Sequence, residues 1–501
     1  MARRSKRMKA AHLTKSLFQS GRQCRKRLWL EVHRRELMTW DVAAQSRVDD
    51  GNYVGKIARE QFGVGFGDEQ IHTPDSDFEK ALAQTKALLA QPPTHRPVLF
   101  EAAFEHAGVR IRIDAFMRFP MADRLIEVKA GSVPKDDYLW DCAIQTWVMR
   151  GAGRPVSLIS LALVDKHFVY ESEGDYRGLL ALNDCTEQVE ALLPHVPALV
   201  ADFKAVIAGP MPEVSTGRHC SKPYDCPFHK HCRASEPPPP DYPIADLPSA
   251  GVRLLASLRA AGFSDLREVP LEELKNPRHQ RVASAARTGT TYVSDDFAPL
   301  LDGLDYPRYY LDFETISFVV PRWVNTRPNQ QVVFQFSCHI EQSDGTLSHS
   351  EFLDITGNNP SSNVVLALLE TMGQAGPILV WNKSFEVGRL EELAAMFPGH
   401  AKALHDLIER VVDLLDIYRD HYYHRDMHGS WSVKKVLPTV APELDYKTLA
   451  IGDGDMAQVA YRRAIAAETS AEAQRAIHKN LLAYCRQDTL AMVRLARWRP
   501  E

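Results

Sequence analysis

Three cysteines recur at six-residue intervals, Cys220, Cys226 and Cys232, and the candidate fourth partner, Cys24, stands close to the start of the 501-residue chain. Four thiolates suit a metal centre, either a [4Fe-4S] cluster or Zn²⁺. If all four converge, everything between Cys24 and Cys220 is tied into one closed loop, which bounds the first half of the fold. Structural zinc typically uses pairs spaced by two to four residues, and the C-x5-C-x5-C run is looser than that. His229 and His231 are the substitute ligands. Cys142, Cys185, Cys338 and Cys485 show no ligand-like spacing and read as core thiols.

A chain that is 45% hydrophobic and 25% charged has material for two or three cores. No run of about 18 apolar residues stands out as a bilayer span, and the stretch MARRSKRMKAAHLTKSL lacks the apolar centre of a secretory signal. The expectation is a cytoplasmic protein with no membrane partner, whose cysteines are thiols or ligands in a reducing compartment. Net charge is only −4, yet residues 1 to 40 hold twelve Lys or Arg against two Glu. Such a basic arm favours a polyanionic partner, with a solvated tail as the plain alternative.

Composition breaks the chain at SEPPPPDYPIADLP, residues 235 to 248, where four consecutive prolines stiffen a linker. A second boundary falls at Leu304-Asp305-Tyr306-Pro307, before an apolar strand. The reading is an α/β protein with a first domain over 1–236, a proline-rich linker and small helical connector over 237–302, and a last domain over 303–501.

In the first domain, VRIRIDAFMRF and RLIEVKAGS have the patterning of neighbouring strands. Glu127 and Lys129 are two apart and project from one face, with Asp114 on the strand before. Two carboxylates so placed suit Mg²⁺ or Mn²⁺, which acidify a bound water, and Lys129 suits a growing negative charge. The plain alternative is a surface ion pair between Glu127 and Lys129.

The order Asp114-x12-Glu127-Val-Lys129, followed by YLWDCAIQTWVM with Gln145, resembles the PD-(D/E)xK nucleases of the RecB-like class. It is most similar to the CRISPR-associated and recombination exonucleases of that class that carry an iron–sulfur cluster, which also place one cysteine before the nuclease core and three after it. The resemblance spans residues 12 to 235. It implies a restriction-endonuclease-like domain with Cys24, Cys220, Cys226 and Cys232 on a [4Fe-4S] cluster, Asp114 and Glu127 on metal, and Lys129 and Gln145 as catalytic residues. Two positions depart from the pattern. Relatives carry a metal-binding His four residues after a glycine, whereas Gly51 is followed there by Gly55; Glu101 or Glu60 is the candidate replacement. The Gln motif usually ends in Tyr, and here it ends in Met149.

The last domain holds a second constellation. PRYYLDFETISF is a strand with Asp312 and Glu314 on one face; PILVWNKSFEVGRLEELA is a strand, a turn at Asn382 and a helix with Glu386. LLAYCRQDTLAMVRLA is a helix that stacks Tyr484 and Asp488 at i and i+4. Together these resemble the DEDD exonucleases of the RNase H-like (DnaQ-like) fold, in the subtype with Tyr-x3-Asp. That resemblance implies metal binding by Asp312, Glu314, Glu386 and Asp488, with Tyr484 orienting the attacking water. Glu386 stands where the family has Asp, and Asp413 is a further acid on a strand. The stretch from Tyr309 to Ile340, with GSWSVKKVLP from Gly429, also resembles an uncharacterised bacterial family that fuses a RecB-like front half to this rear half. Arg322, Arg327, Lys434 and Lys435 are the candidate phosphate contacts for a single-stranded end. Trp323, Trp431 and Tyr422 are the stacking candidates, although aromatics in such segments are commonly core.

The expected activity is metal-dependent hydrolysis of DNA phosphodiesters, with RNA an open alternative and a 3′ to 5′ direction implied at the rear site. The rival is a non-catalytic nucleic-acid-binding component of a defence or repair complex.

Overall fold

The computed structural model describes residues 12–39, 42–63, 69–70, 77–92, 98–119, 123–444 and 446–500, so the first eleven residues of the basic arm lie outside the described residues. The chain is mixed α/β and divides into two compact units. One comprises Met1–Pro237 with Phe318–Gln330, the other Pro238–Ser317 with Gln331–Glu501. The connector after the prolines therefore counts with the second unit, where Tyr292–Val293 pairs antiparallel with Tyr422–Tyr423. Residues 318–330, assigned by sequence to the last domain, count with the first unit.

The first unit is built on a mixed sheet. Across it the strands run Glu69–Gln70, Val98–His106, Val109–Met117, Arg124–Lys129, Leu158–Val164 and Leu180–Asp184, and Leu13–Thr14 pairs alongside Val109–Met117. The turn between Val98–His106 and Val109–Met117 has Ala107 at φ 46° and Gly108 at φ 69°. Positive φ at both central positions matches the twist of the flanking strands, and glycine meets that demand without strain. Burial alternates along Val109–Met117, so Val109, Ile111 and Ile113 enter the core while Asp114 stays on the other face. The helix Asp136–Gly151 adds Cys142, Ile144, Val148 and Met149 to that core. Met149 is thus a core residue at the position where the resemblance expects Tyr.

One helical stretch among the described residues, Thr186–Ala208, is long and apolar enough to cross a membrane by length and composition, with mean hydropathy 1.5. This corrects the expectation that no such run exists. Val189, Val196, Val200 and Phe203 of that stretch belong to the core of the first unit.

In the second unit five strands run in the order Leu347–Leu353, Val332–Glu341, Arg308–Ile316, Ile378–Val380, Val411–Asp413. The first three are antiparallel neighbours, and the last two add in parallel. Arg308–Ile316 is therefore the central strand, buried along almost its whole length. The helix Ala471–Arg497 starts at Ser470, whose side chain accepts the Ala473 amide. Gln335 Nε2 donates to Leu481 O at 2.9 Å and Ser337 Oγ pairs with Thr489 Oγ1 at 2.8 Å. Those bonds seat the helix against the strand Val332–Glu341, neighbour of the strand that carries Asp312 and Glu314.

Candidate functional site

Asp114, Glu127, Lys129 and Gln145 meet in the first unit. Asp114 Oδ2 accepts the Val128 amide at 2.7 Å, which ties the two strands together at the site. Glu127 is fully buried; its Oε2 accepts Gln145 Nε2 at 2.7 Å, and its Oε1 faces Lys129 Nζ at 2.8 Å. Burial alone would raise the Glu127 carboxyl, but the ammonium groups of Lys129 and Lys15 reverse that and hold it well below its ordinary range. Burial, and then the Glu127 charge, push Asp114 up to about 7. One turn before Gln145, Asp141 accepts Lys129 Nζ at 2.5 Å.

Glu101 and Glu60 fare differently as replacements for the absent His. Glu60 is exposed on a helix beside Lys56, at 3.7 Å. Glu101 lies between the paired positions Phe100↔Ala115 and Ala102↔Ile113, across from Asp114, and holds φ at 58°. A glutamate in the left-handed region is uncommon, and such outliers cluster at functional sites. Glu101 is thus the better placed of the two.

Cys24, Cys220, Cys226 and Cys232 line one cavity, with Leu30 and Phe228 in its wall and Lys26 and Arg27 beside it. Cys24 is the joint between the helices Lys15–Gln23 and Arg25–His33. On the other side, Cys226 N donates to Cys220 O at 2.8 Å and Cys232 N to Phe228 O at 2.9 Å, so a short backbone network holds the three thiols. Burial pushes the Cys226 thiol up to about 11. His229 also lines the cavity. Thiolates about 2.3 Å from one zinc ion stand roughly 3.8 Å apart. Among the described residues these four do not form a group with ligand atoms within 4.8 Å of one another.

The second unit gathers acids from three elements. Asp312 and Glu314 lie on the central strand, Glu386 on the helix Lys383–Met396 and Asp488 on the helix Ala471–Arg497. Burial pushes the Asp312 carboxyl well up, and the charges of Asp488, Glu314 and Glu386 add to the effect. Glu314 is pushed well up by burial and then by Asp488. Burial likewise takes Glu386 up to about 8 and Asp488 up to about 6. Glu386 is 3% exposed and its Oε2 has no hydrogen-bond partner. Asp413 serves the backbone instead. Its carboxylate accepts the amides of Asn382, Lys383 and Leu415 at 3.2, 2.9 and 2.9 Å and so caps two helix starts.

Sequence reasoning missed several members of these sites. Cys485, read as a core thiol, places Sγ 3.7 Å from Asp312 Oδ2, and Asp312, Glu314 and Cys485 have ligand atoms within 4.8 Å of one another. Its position next to Tyr484, three residues before Asp488, was the available signal, since i+3 neighbours share a helix face. Tyr446 Oη donates to Asp488 Oδ1 at 2.6 Å. Lys434, expected at phosphate, donates to Tyr484 Oη at 2.9 Å and Gly452 O at 2.8 Å. Lys435 is exposed in the second unit; Arg322 and Arg327 are exposed on the segment that counts with the first. Trp323, Trp431 and Tyr422 are buried side chains rather than open stacking surfaces.

Residues 309–432 match a family model described as a domain of unknown function (DUF2779). That span contains Asp312, Glu314 and Glu386 and stops before Tyr484 and Asp488. An uncharacterized protein of Mycoplasma pneumoniae, an MG366 homolog, is 30% identical over 224 residues, 40% of this chain and 33% of the relative. The uncharacterized protein UU173 of Ureaplasma parvum is 26% identical over 245 residues, 44% of this chain and 35% of the relative. The uncharacterized protein MG366 of Mycoplasma genitalium is 25% identical over 224 residues, 40% and 33% of the two chains. The chain thus spans about a third of the length of the curated relatives it matches.

Proposed function

We propose that the protein is a metal-dependent nuclease with two sites, a RecB-like one in the first unit and a DEDD-like one in the second. The carrying observation is the group Asp312, Glu314, Glu386 and Asp488, in which Asp312 is half-buried and the other three are buried. Like charges withdrawn from water need a compensating cation, and carboxylate oxygens suit Mg²⁺ or Mn²⁺. The unpartnered Glu386 Oε2 fits that donor set. Bound there, such an ion would acidify a water and polarise a phosphate. The chain's own contribution is positional. Tyr484, braced by Lys434, presents a protonated phenol toward the carboxylates, and Tyr446 orients Asp488.

Strand order supports an RNase H-like reading of the second unit, with three antiparallel strands extended by two parallel ones and acids on the central strand. In the first unit the succession Phe78–Leu89 helix, three antiparallel strands, Asp136–Gly151 helix and parallel strand supports a restriction-endonuclease-like reading. There Asp114, Glu127 and Glu101 are the candidate metal ligands, and Lys129 the residue that offsets transition-state charge. Cys24, Cys220, Cys226 and Cys232 are assigned to a [4Fe-4S] cluster, with zinc as the alternative; a reducing cytoplasm suits both. The proposed substrate is DNA, taken as single-stranded ends and degraded 3′ to 5′ at the rear site.

Gly55, in place of the usual His, favours a second reading at the front site: a non-catalytic grip on nucleic acid. Purified protein with Mn²⁺ or Mg²⁺ and end-labelled DNA and RNA separates the two. Metal-dependent cleavage lost in part with Asp312→Ala and in part with Lys129→Ala is expected. Cleavage that survives both changes excludes both sites, and binding without cleavage under any condition favours the grip. Brown anaerobic protein with broad absorbance at about 400 nm is the expected sign of the cluster; colourless protein with one zinc per chain overturns it.

A further inference from the structure

Lys15 stands outside every motif in the sequence, yet its ammonium donates to Glu127 Oε1 at 2.7 Å, the oxygen that Lys129 also reaches. The Glu127 side chain is 1% exposed, while those of Lys15 and Lys129 are 24% and 19% exposed. Lys15 and Lys129 are thus the more exposed partners of a buried carboxylate.

Local structure fixes Lys15 there. The strand Leu13–Thr14 pairs in parallel with the Asp114 strand, Leu13 opposite Val109, and leads straight into the helix Lys15–Gln23. Thr14 caps that helix by accepting the Leu17 amide at 3.2 Å. One turn on from Lys15, Gln19 Nε2 donates to Asp141 Oδ1 at 2.8 Å and Asp137 O at 2.6 Å. Lys15 and Lys129 together face the carboxyls of Glu127, Asp114 and Asp141, a compensation that a metal ion bound to those carboxyls would take over. Any ligand duty of Glu127 competes with Lys15, whose flexible four-carbon stem is then free to carry its charge to a phosphate.

We propose that Lys15 is a phosphate-binding residue of the front site, supplied by the helix that ends at Cys24. The inference rests on the nuclease reading of that site. The test uses the full chain carrying Asp312→Asn, so that the rear site is silent, and compares Lys15→Met, Lys15→Gln, Lys15→Arg and Lys129→Met. Single-stranded oligonucleotide binding is followed by anisotropy in Ca²⁺ across salt concentrations, Mn²⁺ binding by paramagnetic resonance, and folding by thermal melts.

Loss of Lys15 charge is expected to weaken oligonucleotide binding about fivefold for all sequences and to lower the slope of log affinity against log salt by about one. Mn²⁺ binding should tighten, because a neighbouring positive charge is gone, and Lys15→Arg should keep both properties of the parent. A purely structural Lys15 would leave the salt slope of the folded variants unchanged, and that result overturns the proposal. If Lys129→Met and its parent cleave equally little, the nuclease reading of the front site fails instead, and the salt slope still decides the phosphate contact.

Discussion

Lys434 and Tyr484 share a hydrogen bond, Nζ to Oη at 2.9 Å, across two helices of the second unit. Burial, followed by the charges of Asp488, Glu314 and Asp312, raises the phenol far above its ordinary range. Tyr484 therefore stays protonated, suited to orient a water rather than to take its proton. Tyr484→Phe is expected to slow cleavage at the rear site about 100-fold, and Lys434→Met about tenfold, with thermal midpoints near the parent's. Single-turnover degradation of a 5′-labelled strand by a chain with Lys129→Ala checks both.

Stability should fall as pH rises when divalent ions are withheld. Asp488, Asp114 and Glu386 have carboxyls pushed by burial up to about 6, 7 and 8. Each is raised above its unfolded value, so its stabilising contribution is whole below the ordinary carboxylate pKa of about 4 and is lost as pH passes through the raised one. The expected result in chelator is a melting midpoint that drops between pH 5 and pH 8, and a larger gain on adding Mn²⁺ at pH 8 than at pH 5. Asp312→Asn, which removes one like charge, should flatten the curve. Scanning fluorimetry across the pH range reads all three effects.

Cys485 gives the rear site a soft donor among hard ones. Thiolate ligands favour thiophilic ions, so Cd²⁺ should inhibit Mg²⁺-supported cleavage at that site, and Cys485→Ser should raise the inhibitory concentration about tenfold. The inhibition curves, taken with the same Lys129→Ala chain, are the check. Equal curves would show that the thiol does not contribute to ion binding.

Tyr224 lies between Cys220 and Cys226 and donates its hydroxyl to Asp137 at the start of the Gln145 helix. Gln23 adds bonds to the carbonyls of His219 and Tyr224 at 2.7 and 2.6 Å. Tyr224→Phe strands Asp137, which is nine-tenths buried, and should destabilise the protein by about 1–3 kcal/mol. Denaturant unfolding measures the loss, and iron content per chain shows whether the cysteine centre follows.

What could be read in the sequence was what local periodicity carries. A period of two puts Glu127 beside Lys129, and Asp312 beside Glu314; the helical repeat aligns Tyr484 with Asp488. Asp141, one turn before Gln145, obeys the same rule and was available to the same reasoning. Lys15 and Tyr446 were not, because they reach Glu127 and Asp488 through tertiary pairing across many residues, and no spacing records that. Glu101 could be named only as one of two acids; the choice depended on register and on a φ of 58°. Arg322, Arg327, Lys434 and Lys435 look like one basic set along the chain but fall in different units.

The path of residues 318–330 bears on the stability of the front half. The chain enters the second unit after Pro237, comes back at Phe318 and leaves again after Gln330. In the first unit Tyr170 exchanges backbone bonds with Asn325 and Thr326, Tyr176 donates to Pro321 O at 3.1 Å, and Val320 joins a hydrophobic cluster. A break at the proline run would strip those partners from the front half and leave them attached to the rear half. A front half cut at the proline run should therefore be less stable alone than one that is supplied with residues 318–330.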